Sequence, residues 1–154
     1  MKVYTLERGM TVPVEPAAAF AFFKDPRNLA RITPPWLGFR IIGTEPLEMR
    51  LGAEIQYRIR VAGIPLTWKS LITDYDPPFA FTDKQIAGPY RLWLHRHEFH
   101  EAPQGTLVSD RVDYALPFGG LGRIVHRLFV ERRLRAIFDY RSEALARILW
   151  AMAK

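Results

Sequence analysis

The sequence predicts an α+β fold: a strongly bent antiparallel sheet of about seven strands around one long C-terminal helix, with two short helices after strand 1. Three observations predict it. Strand patterns and helix patterns are segregated along the chain instead of alternating. From about Leu121 to Met152, the apolar residues Leu121, Val125, Leu128, Leu134, Phe138, Leu145, Ile148 and Met152 fall at helical spacings, as one stripe. Between Asp76 and Phe99 lie two extended runs joined at Gly88-Pro89, in which large aromatics and titratable groups share the same faces.

The first strand is expected over Lys2 to Val12, where alternation ends at Pro13, a residue that cannot donate to a sheet ladder. A short helix follows from about Pro16 to Lys24. Proline suits its first turn, Glu15 complements its N-terminus, and Phe20 and Phe23 give it an apolar face. Asp25-Pro26 ends it. A second short helix is expected from Pro26 through Ile32, with Leu29 and Ile32 inward, stopped by Thr33-Pro34-Pro35. Trp36 then either caps the mouth of a cavity or packs on the sheet edge.

Phe39 to Gly43 and Leu47 to Arg50 read as a broken strand interrupted at Glu45-Pro46. Glu54 to Ala62 alternates cleanly, with Ile55, Tyr57, Ile59 and Val61 on one face. Gly63-Ile64-Pro65 is the expected turn, and Leu66 to Asp76 the next strand, ended by Pro77-Pro78. The two central runs follow, then a hairpin turn at Ala102-Pro103-Gln104-Gly105 and a last strand, Thr106 to Leu116. The final helix of some 30 residues spans roughly 45 Å, enough to cross a sheet face. A bend is expected where Glu131-Arg132-Arg133 shifts the stripe. Its apolar stripe is expected to face the sheet, which leaves a hollow between sheet and helix.

At 154 residues the chain reads as one domain, residues 1–154. Hydrophobic residues make up 49% of it, enough for a sizeable core and too much for disorder. No run is long and apolar enough to span a bilayer, and the N-terminus lacks the apolar block of a signal peptide, so a cytoplasmic location without stable membrane insertion is expected. The absence of cysteine excludes disulfides, Cys-ligated zinc and thiol catalysis. The net charge of +6 gathers near the C-terminus, in Arg123, Arg127, Arg132, Arg133, Arg135, Arg141, Arg147 and Lys154. With no nucleic-acid motif beside them, these read as the solvated face of the long helix, and no nucleic-acid partner is expected.

The central stretch carries the chemistry. Phe81, Asp83 and Gln85 share one strand face, and Trp93, His95, His97 and Phe99 share another. A closed core rarely contains that mixture, whereas a cavity that orients a largely apolar ligand does. A tight hairpin at Ala102 to Gly105 would set His97 opposite Asp110, His95 opposite Val112 and Trp93 opposite Tyr114. A slip by one residue would set His97 opposite Arg111 instead, and the sequence leaves both registers open. A carboxylate beside an imidazole orients it and raises its pKa. The cluster can serve general acid/base work, ligand orientation, metal binding or structure alone. Metal is the weakest of these, because a third ligand must come from elsewhere. Asp83, if it faces the interior, must pair with a cation such as Arg91 or a histidine, or face a wet cavity.

Pro77-Pro78, Phe81, Asp83, Gln85, Gly88-Pro89-Tyr90, Trp93, His95, His97 and Phe99 together resemble a bacterial branch of the START-like superfamily, also called SRPBCC. Pro65, Trp68, Asp110-Arg111-Val112, Tyr114 and Leu116-Pro117-Phe118-Gly119 are similar as well, and the order of elements matches over essentially the whole chain. The resemblance implies a helix-grip fold with a deep, mostly apolar cavity. Relatives in the wider superfamily carry lipids, sterols and plant hormones, or act as polyketide cyclases and aromatases. Some domains of the branch are fused to or encoded near nucleotide-sugar epimerases, but no Gly-rich dinucleotide turn is present here to support that activity.

These readings give a hydrophobic or amphipathic small molecule as the expected partner, lipid-, polyketide- or aromatic-like, and no metal or other cofactor. Trp68, Trp93, Phe99 and Tyr114 are the expected apolar walls. Asp83, Gln85, His95, His97 and Asp110 are expected to orient the polar end. If the protein is an enzyme, a cyclase or dehydratase-like acid/base catalyst in the same cavity is expected, with His97 and Asp110 as its catalytic residues. A non-catalytic interaction module with a structural polar cluster is the third reading.

Overall fold

The structure is a computed structural model that describes residues 1–43 and 48–154. Seven strands form one antiparallel sheet: β1 (Tyr4–Val12), β2 (Arg40–Ile41), β3 (Glu54–Val61), β4 (Ile64–Asp76), β5 (Ala80–Ala87), β6 (Leu92–Ala102) and β7 (Gly105–Ala115). The spatial order is β1-β7-β6-β5-β4-β3-β2. Consecutive strands are neighbours from β2 to β7, and β1 returns to the free edge of β7. Helix α1 (Pro16–Phe23) and a 3-10 segment (Pro26–Ile32) follow β1. The chain ends in α2 (Gly119–Val125), a π-helical turn (His126–Val130) and α3 (Glu131–Met152). This is the helix-grip arrangement expected from the sequence.

Alternation and turn chemistry account for the strands. β6 buries Trp93, His95, His97 and Phe99, every second residue, as its pattern requires. The hairpin after it closes tightly, with Ala102 opposite Gly105, so His97 stands opposite Asp110 and the slipped register does not occur. β4 carries irregularities at Lys69/Ser70 and at Ile72/Asp74 in its pairing with β5. Such bulges bend a strand and re-aim its side chains, and here they flank Ser70, a residue of the site described below.

Several elements differ from expectation. Among the described residues, the strand expected from Phe39 shortens to the two residues of β2, an edge strand paired with β3. The break at Glu45-Pro46 and the start of its second half at Leu47 lie outside the described residues, and Glu48 to Arg50 carry no strand. The β3–β4 turn is Ala62-Gly63, both at positive φ (51° and 79°), so Ile64 and Pro65 belong to β4. Pro65 is tolerated there because the pairing of β4 with β5 begins only at Lys69, and its missing N–H leaves no ladder bond unmade. The segment after α1 is 3-10 rather than α-helical, and a further 3-10 turn, Pro35–Leu37, presents Trp36.

The C-terminal helix is interrupted one turn before the expected bend. The π turn begins at His126, which is buried, accepts or donates a hydrogen bond with the Tyr114 hydroxyl at 2.8 Å and stacks on Tyr4. One extra residue in a turn rotates the following face by about 100°. The stripe therefore divides. Leu134, Phe138 and Leu145 are buried, whereas Leu121 and Leu128, 63% and 59% exposed, face out together with Phe118, Ile124 and Phe129. Only the stretch of the stripe from Leu134 to Ile148 on α3 faces inward as expected, and Met152 at its end is exposed.

The core forms two clusters. One gathers Phe20, Phe22 and Phe23 of α1 with Phe81, Phe99 and the far end of α3 at Leu145 and Leu149. The other gathers Ile59, Trp68, Trp93 and Tyr114 with Leu134 and Phe138. Along β6, Trp93 belongs to the second cluster and Phe99 to the first. His95 and His97 lie between them.

Candidate functional site: a buried aspartate-histidine cluster on a cavity

A polar group inside an apolar core must be paired. The four residues between the two clusters pair with one another. His95 Nε2 lies 2.8 Å from Asp110 Oδ1, and His97 Nε2 lies 3.0 Å from Asp83 Oδ2. His97 Nδ1 is also 2.9 Å from Asp110 Oδ1, an ionic contact that lacks hydrogen-bond alignment. His95 Nδ1 is 3.8 Å from Asp83 Oδ2. The imidazole centroids are 3.8 Å apart, and Phe81 stacks on His97 at 4.2 Å. The Ser70 hydroxyl donates to Asp83 Oδ1 at 3.3 Å and accepts the Trp68 indole N–H at 3.1 Å. Three neighbouring strands, β5, β6 and β7, supply the four ionisable groups, and β4 supplies Ser70.

Electrostatics separate the two imidazoles. Burial, with the neighbouring His97 charge, pushes His95 down to about 4 against its contact with Asp110. Burial pulls His97 down as well, but its contacts with Asp110 and Asp83 together outweigh burial, and its pKa is raised. Burial raises both carboxylates; the hydrogen bond from His97 and the charge on the histidines outweigh it at Asp83, and His95 and His97 hold Asp110 well below the usual carboxylate range. Between the two carboxylates, His97 is thus the ring that holds its proton more tightly and His95 the one that gives it up first.

Asp83, His95 and His97 line a cavity of about 550 Å³ between the sheet and α3. The size is that of a small-molecule site. Its other walls are mostly apolar: Trp68 and Trp93 from the sheet, Leu29 and Trp36 from the 3-10 segments, and Leu134 and Phe138 from α3. Trp36 is 59% exposed and packs edge-on to Tyr140 of α3. It lines the cavity while remaining open to solvent.

The sequence candidates fall into two groups. Trp68, Trp93, Asp83, His95 and His97 meet at the cavity. Asp110 lies behind the histidines, and Phe99 is fully buried in the first core cluster. Tyr114 is turned toward His126, with burial pushing its phenol up to about 12. Gln85 closes the Gly88-Pro89 loop instead, exchanging hydrogen bonds with the backbone of Tyr90 at 2.7 and 3.1 Å. None of these last four lines the cavity.

Arg141 corrects the reading of the C-terminal arginines as a solvated face. Arg123, Arg127, Arg132, Arg133, Arg135 and Arg147 are exposed, but Arg141 lines the cavity. Its guanidinium lies over the Phe138 ring at 5.1 Å, and Phe138 in turn meets His95 edge-on at 5.7 Å. Its spacing carried the signal. Position 141 lies three residues after Phe138, seven after Leu134 and four before Leu145, inside the apolar stripe.

Asp83, His95 and His97 also bring metal-ligand atoms within 4.8 Å of one another. The donor set, two imidazoles and a carboxylate, is one that transition metals accept. A cation there would have to take the place of the proton between His97 and Asp83.

The family model described as polyketide cyclase / dehydrase and lipid transport matches residues 4–149. Among solved structures, the di-domain aromatase/cyclase StfQ of the steffimycin biosynthetic pathway superposes with a TM-score of 0.76 at 14% identity, over 98% of this chain and 52% of that one. A protein from Chromobacterium violaceum gives 0.73 at 12% identity, over 95% and 97% of the two chains. Ara h 8.0201 gives 0.61 at 19% identity, over 94% and 99%. At these identities the likeness is one of fold. No curated protein sequence matches the chain.

Proposed function

The chain belongs to the polyketide cyclase / dehydrase and lipid transport family, and we propose that it binds a hydrophobic or amphipathic small molecule in the cavity between the sheet and α3. One observation carries this reading: a 550 Å³ hollow whose walls are aromatic and aliphatic and whose polar groups converge at one place. Trp68, Trp93 and Phe138 would hold the apolar body. Asp83, His95 and His97 would orient its polar part, with Asp110 fixing both rings from behind.

Native mass spectrometry of protein purified without detergent, then of stripped protein titrated with lipids and fused-ring aromatics, tests it. A bound small molecule, displaced by others of similar size, is the expected result. Failure of every apolar compound to bind would overturn the proposal.

The opposed pKa shifts of His95 and His97 favour a second reading, acid/base catalysis on a polyketide-like substrate. His97 touches the cavity and would transfer the proton; Asp110, out of contact with the cavity, would be a positioning residue. A ligand recovered chemically changed, with the change lost in His97→Ala, would select this reading over binding alone. The third reading, a structural cluster in an interaction module, requires that the cavity take up nothing.

A further inference from the structure

We propose that the ligand of this cavity is an acid, and that Arg141 binds its carboxylate. The inference rests on the cavity being a ligand site, and it adds the chemical class of what enters.

Arg141 is the observation. Nε and Nη1 of its guanidinium are buried, and neither makes a hydrogen bond among the described residues. The residue is only partly buried, but two donors of a guanidinium turned away from water without hydrogen bonds are costly, and a ligand that brings its own charge would satisfy them. Each of these two atoms shares an edge of the planar guanidinium with Nη2, and either edge matches a carboxylate in two parallel hydrogen bonds. The stacking of Arg141 on Phe138 fixes its plane inside the cavity rather than at the rim.

The charges around it are compatible with an incoming anion. Asp83 faces the same cavity, but its Oδ2 is already bonded to His97 Nε2 and its Oδ1 to the Ser70 hydroxyl. Asp110 is occupied by both histidines. No salt bridge joins Arg141 to either carboxylate among the described residues. Arg60 and Arg133 also border the cavity, yet both are exposed and fully hydrated alternatives compete there. An apolar body between Trp68, Trp93 and Leu134 and a carboxylate on Arg141 describe an amphipathic acid. A fatty acid and a fused-ring aromatic acid share that chemistry.

Matched pairs of probes test it: lauric acid against lauryl alcohol, and naphthoic acid against naphthalenemethanol, each titrated calorimetrically into wild-type protein, Arg141→Gln and Arg133→Gln. In the wild type, at least one acid is expected to bind about tenfold or more tightly than its alcohol. Arg141→Gln is expected to erase that preference, read as the ratio of acid to alcohol affinity within the same variant, and Arg133→Gln to keep it. Which pair shows the larger preference separates the aliphatic from the aromatic source. Equal binding of acid and alcohol in the wild type would overturn the inference and leave the ligand site standing. A preference carried by Arg133 would overturn the assignment to Arg141, and binding of none of the four would overturn both readings. Should Arg141→Gln fail to fold, the Nε–H resonance of Arg141 in the wild type decides. It is expected to shift on adding an acid and not on adding its alcohol, and no shift with an acid that binds overturns the proposal.

Discussion

At the scale of single residues, the cluster's behaviour follows from whether each group keeps or loses a proton on burial. His95 titrates near 4 when folded and near the usual histidine value when unfolded. As pH falls through that window, the unfolded chain takes up a proton that the folded protein refuses. Stability therefore falls between about pH 6.5 and pH 4, by roughly 3 kcal/mol if His95 acted alone. His97 has the opposite sign: its raised pKa contributes stability that is fully present below the usual histidine value and lost as pH rises through the folded one. The lowered Asp83 and Asp110 contribute above the ordinary carboxylate range and lose that contribution as pH falls through their folded values. Urea midpoints of His95→Gln, measured in steps from pH 7 to pH 4, are thus expected to fall less steeply than those of the wild type. An unchanged slope would mean that His95 is not the neutral ring. Asp110 is the member whose loss leaves most behind, since both histidines contact its Oδ1. Asp110→Ala should cost about 3–5 kcal/mol of unfolding free energy, the usual result of removing one partner from a buried ionic cluster. A cost below about 1 kcal/mol in urea denaturation would show that the rings are held by something else.

At the scale of elements, sequence periodicity located nearly every strand, because β3, β6 and β7 alternate strongly between a buried and an exposed face. The register of β6 on β7 was one of two possibilities until the tight hairpin chose between them. What periodicity missed was local backbone geometry. Gly63-Ile64-Pro65 reads as a turn because Gly and Pro are turn residues, yet the turn falls one step earlier and places Ala62 at φ 51°. A two-residue turn with both φ values positive favours asparagine followed by glycine. Ala62→Asn is accordingly expected to stabilise the protein by about 1 kcal/mol, read as a higher denaturation midpoint with an unchanged slope. The C-terminal stripe shows a second limit. Its residues are periodic throughout, but the π turn at His126–Val130 breaks the phase, and no residue type there announces it. Exposure then makes Leu128 and Leu134 unequal in a way their spacing does not. Leu128→Gln should change stability by less than about 0.5 kcal/mol, and Leu134→Ala should cost about 2–5 kcal/mol. Comparable losses at the two positions would mean that the outer face of the π turn is covered in solution.

At the scale of the whole molecule, the cavity exists because a long helix meets a sheet whose inner face changes character along its length. Phe99 and Phe81 pack on α1 at one end, and Tyr114 packs on His126 at the other. Between them the sheet offers His95, His97 and Asp83, which bond to one another, so α3 spans the gap instead of filling it. The hollow was legible in outline from the mixed faces of the central strands. Its lining was only partly legible: face sharing cannot tell a residue at the cavity surface, such as His97, from one behind it, such as Asp110. It also cannot tell a wall from a loop staple, and Gln85 shares the face of Asp83 but is drawn to Tyr90 by a loop whose path depends on Gly88-Pro89. A void inside a folded chain leaves its lining atoms without contacts, so filling it should stabilise what making a cavity elsewhere destabilises. Ile137 borders the cavity from α3. Ile137→Trp puts added volume into existing space, whereas the same enlargement in a close-packed core costs about 1–3 kcal/mol. Its melting temperature is expected to match or exceed that of the wild type. Its uptake of any hydrophobic ligand, followed by calorimetry or native mass spectrometry, is expected to disappear. A destabilised Ile137→Trp protein would show that the space closes in solution, and undiminished uptake would place the ligand elsewhere on the molecule.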